Sequence, residues 1–261
     1  MTLSTLFRYF SFLVLSIGIL SCEKETEDFQ TESLTDFMLM QPGKYINYRL
    51  DSIIFTNFGR DIDTHSYQVK HLVDAEITDN LGRSSYRIYK YINDSLASDS
   101  WKPNGSYFIT VLNDQVEVIE DNMRVIKIHQ PFRDGNTWKG NRYLPIEPYD
   151  GYYNFSNDDN MEDWEFYFDG PASSFNTGTQ ELNDVYTIIG ADETFNLPIT
   201  DPSSYAAKTT SIEKYAKNIG LVYKEYALWE HQPNPTGNPP NVNYDPYKTG
   251  FEIKMWMVDH N

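Results

Sequence analysis

The sequence predicts an all-β fold, an antiparallel sheet built as a sandwich or a strongly curved, clam-like half-barrel from about ten strands with little helix. Three observations predict it. Apolar and polar residues alternate at a period of two along much of the chain; turn-type pairs such as Asn113-Asp114 and Asp121-Asn122 separate the alternating runs; and Tyr (20) and Phe (15) are abundant. Aromatic side chains suit pleated, half-buried surfaces, so composition and patterning agree.

The strands follow in order. After the Pro42-Gly43 turn, Ile46, Tyr48 and Leu50 alternate with Asn47, Arg49 and Asp51. Tyr67, Val69, His71, Val73, Ala75 and Ile77 then take every second place, which predicts one long half-buried strand. Asp79-Asn80-Leu81-Gly82 turns the chain, and Tyr86, Ile88 and Ile92 begin its return as a hairpin. Further strands are expected at Tyr107–Leu112, Val116–Ile119 and Arg124–Ile128, in a meander. Residues 145–178 mix Gly, Pro, Asn and Asp around one apolar run, Trp164–Phe168, and read as long loops about a single strand. Strands resume at Val185–Ile189, Leu221–Leu228 and Phe251–Val258. The segment 233–246 is rich in proline and cannot be a central strand. A helical turn is expected at Ser211–Asn218, with Ile212 and Tyr215 facing inward. The whole of 37–261 is read as a single β-rich domain.

The N-terminus carries a different signal. Residues 1–21 hold one base, Arg8, no acid, and an apolar run from Tyr9 to Leu20. That run is too short to span a bilayer, which takes about 20 apolar residues. A cationic start, a short apolar stretch and a small residue before Cys22 make a secretory signal peptide, 1–21. Ile19-Leu20-Ser21-Cys22 resembles a bacterial lipobox, which implies diacylation of Cys22 and anchoring in a membrane. Residues 22–36 are acidic and polar, a flexible tether. Their start, Cys22-Glu-Lys-Glu-Thr-Glu-Asp, resembles the signal that sends lipoproteins of the Bacteroidota to the outer face of the outer membrane. An outer-membrane protein facing the cell exterior is the expectation.

Charge narrows the partners. The formal net charge is −17, and without residues 1–21 the bases fall from 21 to 20 against 38 acids, giving −18. Nucleic acid and anionic lipid headgroups need cationic surface, so neither is an expected partner. With Cys22 as its one cysteine the chain forms no intrachain disulfide, and its stability rests on burial.

No nucleophile elbow, zinc-protease motif, paired-cysteine motif or phosphate loop is present, and five histidines lie scattered without ligand spacing. A carboxylate pair for hydrolysis could be drawn from 38 acids, but nothing selects one, and the expectation is a non-enzymatic protein without a cofactor. Two constellations suggest binding. Asn157-Asp158-Asp159-Asn160-Met161-Glu162-Asp163 is an oxygen-rich loop of the kind Ca²⁺ prefers, with Asp158, Asp159 and Asp163 as candidate ligands. Tyr149, Tyr152, Tyr153 and Trp164 lie in loops beside amides and carboxylates, where rings can stack on sugars; the plainer reading has them pack the loop onto the sheet.

Three stretches, Pro42-Gly-Lys-Tyr-Ile-Asn-Tyr-Arg-Leu-Asp-Ser-Ile, Gly135-Asn-Thr-Trp-Lys-Gly and Glu213-Lys-Tyr-Ala-Lys-Asn-Ile-Gly-Leu-Val-Tyr-Lys-Glu-Tyr, resemble those of uncharacterised lipoproteins of the Bacteroidota, a family that brings no activity with it. Ile219-Gly-Leu-Val and the strand it opens are also similar to a segment of β-clam lipoprotein carriers. The leading expectation is a membrane-anchored lipoprotein binding a glycan or protein ligand at the cell surface. The alternative is a periplasm-facing carrier of lipid or outer-membrane clients. A continuous apolar concave face would favour the carrier; aromatic and acidic residues displayed on loops would favour surface capture.

Overall fold

A computed structural model describes residues 32–38, 40–156 and 160–261; the signal-peptide segment, Cys22, most of the acidic tether and Asp158 and Asp159 lie outside the described residues. One helical turn, α1 (Leu34–Phe37), precedes the strands. The first wing comprises β1 (Tyr45–Thr56), β2 (Asp61–Thr78), β3 (Ser84–Asp94), β4 (Lys102–Val111), β5 (Gln115–Glu120) and β6 (Met123–His129). Then come β7 (Thr137–Lys139), β8 (Glu165–Phe168), β9 (Ser173–Asn176), β10 (Glu181–Phe195), β11 (Ala206–Ala216) and β12 (Gly220–Gln232). A small hairpin, β13 (Pro235–Asn238) and β14 (Asn241–Tyr244), leads to β15 (Tyr247–His260).

Among the described residues, 13 strands form one antiparallel sheet in the order β6-β5-β4-β3-β2-β1-β15-β12-β11-β10-β8-β7, with β9 on β10. The first and last strands meet at its centre, with Leu50 opposite Met255. The two ends of the order also come together. The Ile126 amide of β6 donates to the Gly140 carbonyl just past β7 at 2.8 Å, and the Trp138 indole donates to the Ile126 carbonyl at 3.0 Å. The sheet therefore closes almost into a barrel, an all-β fold as the alternation predicts.

Alternation sets which side chains face inward. Tyr48 pairs with Val69 on one side and Met257 on the other; Val69 pairs with Ile92, Val73 with Ile88, and Ile88 with Tyr107, so these residues share one face. The expected phase of β2 does not persist to Ile77: a bulge between Val73 and Ala75 adds a residue and swaps the faces beyond it.

The helical turn expected at Ser211–Asn218 is a strand instead, since its first six residues belong to β11, paired with β10 and β12. The spacing of three between Ile212 and Tyr215 imitates a helix face. In the strand those two residues face opposite sides, and Glu213 joins Tyr215 on the inner one. The region 145–178 holds a second short strand, β9, beyond the one expected. The proline-rich segment 233–246 stays out of the main sheet and folds on itself as β13 and β14.

The seam is filled by rings. Phe37 of α1 lies 4.7 Å from Phe132 and 5.3 Å from Tyr186, while Phe168 lies 5.3 Å from Phe132 and 5.3 Å from Trp138. Phe37 and Phe168 are wholly buried. Each such ring removes enough apolar surface from water to stabilise the fold by about 2–3 kcal/mol. Phe166 is held between Gly140 and Gly190, where an added Cβ would stand 2.5 Å and 2.7 Å from its ring, so the close approach requires glycine at both positions.

Candidate functional site

Away from the seam, the inner face is not filled. Three connected clefts follow one another along it. The first, a narrow one of about 60 Å³, opens beside Lys44 and His260 and is lined by Met40, Ile46, Val73, Ile88, Ile109 and Leu221. A second, about 220 Å³, shares His71, Tyr107, Ile109 and Leu221 with the first and adds Lys90, Glu120, Lys127, Glu213 and Lys224. The third, about 750 Å³, shares Glu120, Lys127 and Lys224 with the second and ends at Asp121, Asn122 and Tyr152. An apolar throat thus leads into a charged middle and then to a tyrosine-lined mouth. Of the three, the third reaches the range of about 300–1000 Å³ that small ligands occupy, and the narrower two run into it.

Strand pairing brings the charged groups together. Glu213 of β11 and Lys224 of β12 are register partners, as are His71 of β2 and Lys90 of β3. Lys127 reaches from β6 to β11 and donates to Glu213 Oε1 at 2.7 Å, while Tyr215 donates to Glu213 Oε2 at 2.7 Å. Lys90 donates to Glu120 in a close ion pair. The Tyr107 hydroxyl lies 3.1 Å from His71 Nδ1, and the Tyr48 hydroxyl donates to the Leu221 carbonyl at 2.9 Å.

Burial governs how these groups titrate. It pushes the His71 imidazole down to about 3, with Lys90 and Lys224 adding to the effect and Glu120 opposing it, so His71 is neutral at pH 7. Burial alone would raise the Glu213 carboxyl; the ammonium groups of Lys127 and Lys224 and the hydrogen bonds from Lys127 and Tyr215 outweigh it and hold the carboxyl low. Glu120 is likewise held low against its own burial, by Lys224 and Lys90. Lys224 is lowered by burial first and by Lys127 next. The Tyr107 and Tyr215 phenols are pushed up by burial and stay protonated donors.

The aromatic residues singled out by the sequence divide between packing and exposure. Tyr149 lies 5.2 Å from Phe251, and its hydroxyl is 3.1 Å from that of Tyr226. Tyr153 stacks 5.6 Å from the same Phe251. Their loop is pinned where the Ser156 amide and hydroxyl donate to Glu230 at 2.8 Å and 3.0 Å. Tyr152 alone of the three tyrosines is open to solvent, 82% exposed. Trp164 packs against the ring-filled seam, away from them. Asp163 ends a 3₁₀ turn, Met161–Asp163, and stands exposed, 3.6 Å from the Lys139 ammonium. Among the described residues no group of three or more His, Cys, Asp or Glu side chains is arranged to hold a metal ion.

Sequence reasoning placed His71 on the inner face but passed over Lys90, Glu120, Lys127, Glu213 and Lys224. The signal was present. Lys90 sits in the alternating series Tyr86, Ile88, Lys90, Ile92, and Lys224 between Val222 and Tyr226, each a charge at an inward position. A charge that interrupts the apolar face of a strand is buried or lines a cavity.

No family model matches the chain, and no curated protein matches it. Among solved structures it is similar to a domain named as an outer membrane lipoprotein-sorting protein from Vibrio parahaemolyticus, at 10% identity over 84% of this chain and 85% of that one, with a TM-score of 0.18. It is similar also to a DUF1329 family protein from Desulfovibrio piger, at 11% identity over 86% of this chain and 88% of that one, with a TM-score of 0.18. Similarity at that level leaves the functional reading to the geometry of the interior.

Proposed function

We propose that this protein is a non-enzymatic carrier that holds a hydrophobic, chain-bearing ligand inside its nearly closed sheet, tethered to a membrane through a lipidated Cys22. The observation that carries the reading is the run of three connected clefts along the inner face, beginning in an apolar throat between Ile46, Ile88, Ile109 and Leu221. An acyl chain gains about 0.8 kcal/mol per methylene removed from water, and an elongated apolar throat is the shape that collects such increments. Surface capture of a glycan has less support: Tyr149 and Tyr153 spend their faces on Phe251, which leaves Tyr152 as the open ring of that group.

The neutral probe N-phenyl-1-naphthylamine tests the reading directly. Titrated into the purified soluble domain, it should brighten saturably and be displaced by long-chain lipids. A probe that stays dark, with tryptophan fluorescence responding instead to polysaccharides, would replace the carrier with surface capture. The tether is tested separately by the mass of the mature chain, which should include a diacylglyceryl group that Cys22→Ser abolishes.

A further inference from the structure

We infer that the ligand of this interior ends in an anionic head, a carboxylate or a phosphate monoester, and that Lys224 receives it. The inference rests on the carrier reading and deepens it. Among the described residues lining the middle cleft, three ammonium groups, Lys90, Lys127 and Lys224, face two carboxylates, Glu120 and Glu213.

The pairing leaves Lys224 over. Lys90 is matched to Glu120. Lys127 holds Glu213 Oε1 at 2.7 Å and Tyr215 holds Oε2 at 2.7 Å. Lys224 comes no closer than 3.9 Å to the oxygen that Lys127 already occupies, beyond hydrogen-bonding reach. Its charge also acts on Glu120, which Lys90 already holds in an ion pair, and its remaining contact is the Tyr226 ring, 5.5 Å away. A side chain only 21% exposed, carrying a positive charge without a hydrogen-bonded counter-ion, is costly unless something else neutralises it. His71 cannot supply that charge, since a neutral imidazole carries none.

Position matters as much as balance. Lys224 lines both the second and the third cleft, so its ammonium faces open space at their junction, with the apolar throat on one side and the tyrosine-lined mouth on the other. A chain lying in the throat would bring its head to this point. An amphiphile with one anionic end satisfies both halves at once: methylenes replace water in the throat, and the head brings the charge that equalises three ammonium groups. The strongly acidic exterior does not oppose this, because the local field of the cleft is set by its own lysines.

The experiment compares dodecanol, laurate and dodecyl phosphate, below their micellar concentrations, as displacers of N-phenyl-1-naphthylamine at pH 7, with acetate and inorganic phosphate as head-only arms. Laurate and dodecyl phosphate should displace the probe at concentrations about tenfold or more below that of dodecanol, since a charge-assisted hydrogen bond in a buried site is worth that factor. Lys224→Met should bring the three within about twofold of each other, compared as ratios within the same variant, and Lys224→Arg should keep the preference. Removing an unbalanced charge should leave the melting temperature of Lys224→Met equal or higher. Dodecanol matching laurate in the wild type, or a preference that survives Lys224→Met, would overturn the headgroup inference and leave the carrier standing. Acetate or phosphate competing as well as the amphiphiles would make this a small-anion site and overturn it too. A probe that never binds overturns both.

Discussion

Two stretches of the same inner face end in opposite states. At the seam, Phe37, Phe132, Trp138, Phe168 and Tyr186 close on one another with centroids 4.7–5.5 Å apart. Across the sheet, Lys90, Glu120, Lys127, Glu213 and Lys224 occupy equivalent inward positions, and the space between them stays open. The backbone is the same antiparallel ladder in both. The difference lies in what the side chains can do for each other. Rings interdigitate and exclude water, whereas like-charged ammonium groups hold each other apart and keep polar partners at fixed distances. A barrel of this kind is stabilised on one side and kept available on the other.

The strongest way to break that contrast is to hollow the seam. Phe168→Ala removes a fully buried ring in contact with Phe132, Trp138 and Tyr186, and should lower stability by about 3–5 kcal/mol, read as the urea unfolding midpoint. An equal loss from cutting Leu221, which lines the throat, would mean that the throat is core rather than cavity and would erase the distinction.

How much of this was legible follows the same division. Alternation marks the strands and their inward positions well, because a period of two is written into every half-buried strand. It places Tyr48, Val69, His71 and Val73 on one face, as observed. Closure is not written there. The meeting of β6 and β7 at Ile126 and Gly140 depends on cumulative twist over many strands, which no local pattern records. The charged cluster draws on five strands, some far apart in sequence, so which of its residues meet is not known until the strands are paired. The loop rings mislead for the opposite reason: in sequence Tyr149 and Tyr153 lie among turn residues, and only the fold lays them on Phe251.

A second test sharpens the contrast within the charged half. Glu213→Gln leaves Lys127 and Lys224 without the carboxylate that both approach, and should cost about 3 kcal/mol. Pairing it with Lys127→Met should restore most of that loss, because a buried ion pair offsets its own desolvation and little more. If the double variant stays as unstable as the single one, the Lys127–Glu213 bridge is a net source of stability and the open half is held together much as the seam is.

The smallest effect is expected from acid, and it too falls on the open half alone. His71 has a folded value near 3 against about 6.5 in an unfolded chain, so the unfolded state takes up the proton first. A depressed folded value contributes stability that is fully present above about 6.5 and is lost as the pH falls toward 3. Between pH 7 and pH 5 the loss should reach up to about 2 kcal/mol at 1.4 kcal/mol per pH unit. Glu213 and Glu120, also held low, add to the loss only below the usual carboxylate range, so the two contributions separate along the pH axis. Urea midpoints measured from pH 7 to pH 5 should fall for the wild type and hold nearly level for His71→Gln, which keeps a polar partner for the Tyr107 hydroxyl without the proton site. A parallel decline in both would move the acid-sensitive group elsewhere. Phe168→Ala should shift the whole profile down without changing its slope, since rings take up no proton and the seam carries none of this dependence.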